Sequence, residues 1–121
     1  MPSKHTPVVY FAEILSSIEL LEQYTQGVEQ ASIELDMKSR DAILHRLLIL
    51  TEAAYRLLPE DMALCPGPDW RNIRQLGNII RHVYDAIDFA TIWNIIHDDL
   101  PPLRASVEQT MREHFPDVPR S

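Results

Sequence analysis

The sequence predicts an all-α fold, an antiparallel bundle of four to six helices, and three observations lead there. Apolar residues recur at three- and four-residue steps over most of the chain. Leu, Ile, Ala, Glu and Arg, which favour or tolerate helix, dominate those periodic segments. No useful length shows the apolar–polar alternation of a strand. At 121 residues the chain suffices for one domain, read as residues 8–115, with residues 1–7 and 116–121 as flexible tails.

The elements follow from these patterns. Phe11, Ile14, Leu15, Ile18, Leu21 and Tyr24 make one apolar stripe, and Gly27 is a stop signal beyond it. A weaker pattern around Glu29–Leu35 allows one or two turns. The next strong helix is expected from near Ser39 to about Leu58, with Asp41 in its first turn and Pro59 as terminator. Its stripe, Ile43, Leu47, Leu50, Ala54 and Leu57, is widened by Leu44, Leu48 and Ile49, as in the buried centre of a bundle. Residues 59–69 hold Pro59, Pro66, Gly67 and Pro68 and read as a loop. Asp69 then caps a helix over Trp70–Val83, and Asp88 caps a shorter one over Phe89–Ile96. Asp99-Leu100-Pro101-Pro102 ends that helix and opens the last, with Leu103, Val107, Met111 and Phe115 at steps of four.

Composition narrows the function classes. No run approaches the roughly 20 apolar residues that span a bilayer, and no secretory leader is recognisable, so a cytoplasmic protein without a membrane partner is expected. The one cysteine, Cys65, has no second thiol for a disulfide or zinc site and reads as structural. His97-Asp98-Asp99 diverge on a helix, so no metal site and no cofactor are expected. Trp70 and Trp93 read as packing anchors. The formal net charge of −7 argues against long duplex DNA as a partner.

That charge is uneven. From Trp70 to Tyr84 there are three arginines, Arg71, Arg74 and Arg81, one histidine, His82, and no acid. At 100° per residue, Ile73, Leu76, Gly77, Ile80 and Tyr84 share one side of the helix. Arg71, Arg74, Asn78 and His82 form a ridge on the other, with Arg81 at its edge near Arg74. Such a ridge is either a solvated face or a phosphate and RNA site. The second reading has simple chemistry: RNA cleaves when its 2′-hydroxyl attacks the adjacent phosphorus. An imidazole such as His82 moves the proton, a guanidinium such as Arg74 or Arg81 holds the phosphate charge, and Asn78 orients an oxygen or the imidazole. Glu52, in the otherwise apolar run Leu47–Ala54, is either a supporting partner for one of these arginines or an exposed carboxylate on a narrow polar strip.

The stretch from Trp70 through Asn78 and His82 to Tyr84 resembles the signature of HepT-like proteins in the HEPN (higher eukaryotes and prokaryotes nucleotide-binding) superfamily. Ile87-Asp88, Ile92-Trp93 and Asp99-Leu100-Pro101-Pro102-Leu103 downstream, and Asp41-Ala42-Ile43 and Glu52-Ala53-Ala54 upstream, are similar to that family as well, so the likeness covers about residues 10–112. The resemblance implies a HEPN-type bundle that forms a homodimer around a shared cleft. It implies a metal-independent endoribonuclease, the toxin of a type VII-like toxin–antitoxin pair, acting on tRNA or mRNA. It further implies a minimal nucleotidyltransferase antitoxin as partner, one that can attach AMP to the signature tyrosine, here Tyr84. The implied site residues are His82, Asn78 and Arg74 as catalytic groups, with Arg71 and Arg81 on phosphate. The family's motif also has an arginine separated from the histidine by four to six residues; Gln75, Leu76 and Gly77 stand at those places. Two further readings therefore stay open: a catalytically weakened member that binds the nucleotidyltransferase and accepts AMP on Tyr84, and a nucleotide-binding helper. Residues two apart do not share a helix face, so Tyr84 lies beside His82 only if the helix ends or distorts near Val83.

Overall fold

The computed structural model describes residues 6–83 and 88–118, with the side chains of residues 82 and 83 outside that description. Among the described residues the chain is all-helical. Helix α1 spans Pro7–Thr25, beginning earlier than the sequence suggests because Pro7 occupies its first turn, where a missing N–H costs nothing. Of its expected stripe, Phe11, Ile14, Leu15, Ile18 and Leu21 are buried, whereas Tyr24, in the last turn, is exposed. Gly27, at φ 68°, turns the chain out of this helix in a conformation that disfavours a side chain. The weak pattern becomes α2, Gln30–Glu34, which buries Ile33.

Helix α3, Met37–Arg56, starts two residues before Ser39, behind the cap residue Asp36, and ends two residues before Leu58. The Asp36 carboxylate accepts from the Ser39 hydroxyl at 2.7 Å and the Lys38 N–H at 3.2 Å. The Ser39 hydrogen bond comes first among the interactions that hold this carboxyl below its usual range. At the other end Leu57 and Leu58 are extended, since a residue before proline is pushed out of the helical region.

Two further expectations are corrected. Residues 59–69 are not all loop, because Pro59–Leu64 forms α4. Pro59 stands in its first turn, and the buried Asp61 carboxylate accepts from the Leu58 N–H at 2.8 Å, so the proline that ends α3 as expected also starts α4. Asp99-Leu100-Pro101-Pro102 opens the last helix as expected, with proline in its first turn, but does not interrupt the helical path before it. Helix α5 covers Trp70–Val83 as expected, with Asp69 accepting from the Asn72 N–H at 3.2 Å. Then α6, Phe89–Asn94, a π-helical turn, Ile95–Asp99, and α7, Leu100–His114, follow without interruption. In the π turn the Leu100 N–H reaches the Ile95 carbonyl five residues back. This wider turn lets the rod pass Pro101 and Pro102, which donate nothing. Asp88 holds the cap position of α6, but its carboxylate takes the Thr91 hydroxyl at 3.0 Å and no helix N–H.

The core lies among α1, α3 and α7, with α5 laid on α3. Helices α1 and α7 run antiparallel: Phe11 meets Phe115 at one end, with centroids 6.2 Å apart, and Glu22 pairs with Arg104 at the other. Phe11 also packs on Trp70, at 6.4 Å, whose indole N–H donates to the Cys65 carbonyl at 2.9 Å. No described helix is long and apolar enough to cross a membrane.

Phe11 is fully buried at this junction of α1, α5 and α7, so Phe11→Ala should lower the unfolding free energy by about 3–5 kcal/mol in urea titration. Burial pushes the Cys65 thiol up from its ordinary pKa, which keeps it protonated at neutral pH. Iodoacetamide should therefore leave Cys65 unmodified in the native protein at pH 7.5 and label it rapidly in urea.

Candidate functional site

The acid-free helix α5 lies antiparallel to α3, and a glycine sets how closely. Gly77 is buried, and a Cβ there would stand 3.2 Å from the Thr51 Oγ1 and 3.5 Å from its Cβ. The Thr51 hydroxyl is itself committed, donating to the Leu48 carbonyl at 2.9 Å. Ile80 is fully buried and Ile73 and Leu76 partly so, which confirms the apolar side read from the helical wheel.

The polar ridge is divided by the structure. Arg71 and Asn78 are exposed, as the wheel places them. Arg74 is partly buried and reaches across to the C-terminus of α3. Its Nη2 donates to the Leu57 carbonyl at 2.6 Å and the Tyr55 carbonyl at 3.5 Å, and its Nε to the Ala54 carbonyl at 3.4 Å. A cation suits this helix end, where carbonyls lack partners and the macrodipole is negative. Its guanidinium also lies over the Tyr55 ring, 5.4 Å from the centroid.

Arg81 holds the more available guanidinium. Nη1 donates to Asn78 Oδ1 at 3.1 Å, and Nη2 meets Glu52 Oε1 at 3.2 Å. The Arg81 and Glu52 side chains are 49% and 55% exposed, so their pairing adds at most about 1 kcal/mol of stability and serves chiefly to orient the guanidinium. Of the two readings of Glu52, the structure shows both features: it is exposed, and it pairs with an arginine of α5. The guanidinium is 3.7 Å from the point where a Cβ of Gly77 would stand. The structure thus brings together Glu52, Asn78 and Arg81, and sets Arg74 and Tyr55 together at the end of α3. His82 belongs to the last turn of α5, four residues after Asn78, and Tyr84 lies outside the described residues. Sequence reasoning missed Tyr55; its only signal is a place three residues after Glu52, on the same helix face.

Among the described residues no cluster of His, Cys, Asp and Glu could hold a metal ion. Residues 14–110 match the family model described as Ribonuclease HepT-like. The chain belongs to the HepT-like ribonuclease family. It is 26% identical over 100 residues to a protein of Thermococcus cleftensis named as a probable ribonuclease HepT, covering 83% of this chain and 91% of that one. It is 26% identical over 106 residues to an RNase candidate of Methanocaldococcus jannaschii, covering 88% and 97%. A second protein of that archaeon, named as a gamma-glutamylcyclotransferase and RNase candidate, is 27% identical over 105 residues; the match covers 87% of this chain and 47% of the longer protein. No solved structure matches the chain. The matched range takes in the whole of α5 and Thr51 of α3, against which Gly77 packs.

Arg74 is tied to three carbonyls of α3, so Arg74→Ala should destabilise the fold by about 1–2 kcal/mol in urea unfolding, discounted for its partial exposure. Arg71→Ala, at an exposed position, should change the midpoint little.

Proposed function

We propose that this HepT-like protein is a metal-independent endoribonuclease, the toxin of a toxin–antitoxin pair, working as a cytoplasmic homodimer. The observation that carries the reading is the half-exposed Arg81 guanidinium, held between Asn78 and Glu52 on a helix without acids. In this reading a phosphodiester of RNA docks on Arg81 and Asn78, with Arg71 on a neighbouring phosphate. His82 takes the 2′-hydroxyl proton as the oxygen attacks phosphorus. The P–O5′ bond breaks, the 5′-oxygen receives a proton, and a 2′,3′-cyclic phosphate remains on the upstream fragment. Arg81 neutralises charge on the crowded phosphorus, and Glu52 keeps its planar fork aimed. Arg74, bound to the α3 carbonyls, supports the site and leaves catalysis to Arg81. The antitoxin is a minimal nucleotidyltransferase that attaches AMP to Tyr84.

Purified protein in excess EDTA should cleave tRNA or mRNA to fragments ending in cyclic phosphate. His82→Ala and Arg81→Ala should each lower the rate by 10²-fold or more. Overexpression should arrest growth, and His82→Ala should relieve the arrest. Cleavage that survives 2′-deoxy substitution at the scissile nucleotide, or that is unchanged by His82→Ala, refutes the mechanism.

Gly77 favours a second reading, because the packing against Thr51 leaves no side chain at the motif arginine's place. The chain would then be a weakened member that binds the nucleotidyltransferase and accepts AMP. Harmless overexpression together with a mass increase of one AMP on Tyr84 would select it.

A further inference from the structure

We propose that Tyr55 is a stacking platform for an unpaired base, which makes single-stranded RNA the substrate class of this site. The inference rests on the ribonuclease reading above and adds what the site recognises beyond the phosphate. Tyr55 stands in the last turn of α3 and is 53% exposed. Its ring is not merely uncovered, because the Arg74 guanidinium lies 5.4 Å from the centroid. That guanidinium is fixed in turn by the Ala54, Tyr55 and Leu57 carbonyls. A cation anchored to a helix terminus thus braces an exposed aromatic side chain, and a braced ring surrenders little freedom when a base stacks on it.

Its position matches the phosphate grip. Glu52 and Tyr55 are three residues apart on α3, so they share a face about 4.5 Å apart along the axis. Glu52 holds Arg81, whose other bond is to Asn78. One turn of α3 therefore sets a guanidinium for a phosphate next to an aromatic ring with a second guanidinium. Cation and aromatic ring side by side are the two elements by which proteins hold single strands: the charge tracks the backbone and the ring takes the base face. A base inside a duplex has both faces occupied and cannot use the ring. Stacking is available to every base, so the preference for base identity is weak and that for unpaired over paired RNA is strong.

The test is binding, kept apart from cleavage by a short single-stranded RNA with 2′-O-methyl groups throughout, read by fluorescence anisotropy. Tyr55→Ala should weaken binding about tenfold, whereas Tyr55→Phe and Tyr55→Trp should stay within about twofold of wild type. The same strand with one abasic position at the site should bind wild type about tenfold more weakly, and Tyr55→Ala should lose nothing further. The strand annealed to its complement should bind at least tenfold more weakly than alone. Tyr55→Ala binding as wild type does overturns the platform, and so does equal affinity for duplex. A changed sedimentation profile for Tyr55→Ala with RNA affinity intact overturns it in favour of a contact between copies of the chain. Wild type that neither binds nor cleaves any RNA overturns the ribonuclease reading together with the platform. Wild type that cleaves RNA while Tyr55→Ala keeps full affinity overturns the platform alone.

Discussion

The approach of α5 to α3 at Gly77 and Thr51 is the constraint on which the site depends. A glycine inside a helix costs about 1 kcal/mol relative to alanine, and here it allows contact that a Cβ 3.2 Å from the Thr51 Oγ1 would strain. At this spacing Arg74 spans to the last carbonyls of α3 and Arg81 reaches Glu52. Were the helices further apart, both arginines would lose those partners, because each bond is made across the seam between the two helices. A Cβ on Gly77 would stand 3.7 Å from the Arg81 guanidinium, an ordinary van der Waals contact, so the close approach is to Thr51 alone.

Much of the fold was legible because burial and helix periodicity state the same thing. The stripes of α1 and α3 and the full extent of α5 follow from apolar spacing, and the structure buries most of those residues, Tyr24 being the exposed exception. The misreadings cluster at prolines. Pro59 begins α4, and Pro101 and Pro102 are carried through a π turn, since proline excludes only particular hydrogen bonds and neighbouring backbone can rearrange around the loss. In the site, a helical wheel assigned Arg74 correctly by angle and wrongly by destination. A long side chain on the flank of a helix goes where unpaired carbonyls are, and those belong to α3, which no pattern within residues 70–84 encodes. The pairing of Glu52 with an α5 arginine was legible as one of two possibilities because a carboxylate amid apolar neighbours invites a cationic partner. Tyr55 carried no such signal, as its meaning comes from Arg74 arriving from another helix.

The charge count of α5 overstates its pull on a polyanion. Of its three arginines, Arg74 is committed to backbone carbonyls and Arg81 is half-compensated by Glu52, which leaves Arg71 as the one without a hydrogen bond or ion pair among the described residues. The rest of the chain is acidic, with a net charge of −7 for the whole. Long-range attraction to RNA is therefore weak, and the Debye length of about 8 Å at physiological salt confines what exists to the ridge itself. In the proposed reading binding therefore rests on short-range contacts, a phosphate in the Arg81 fork and a base on the Tyr55 ring, more than on the long-range field. A surface of that kind would discriminate by the shape of the strand it meets: a flexible single strand could bring phosphate and base to α3 and α5 together, and a duplex of the same charge could not.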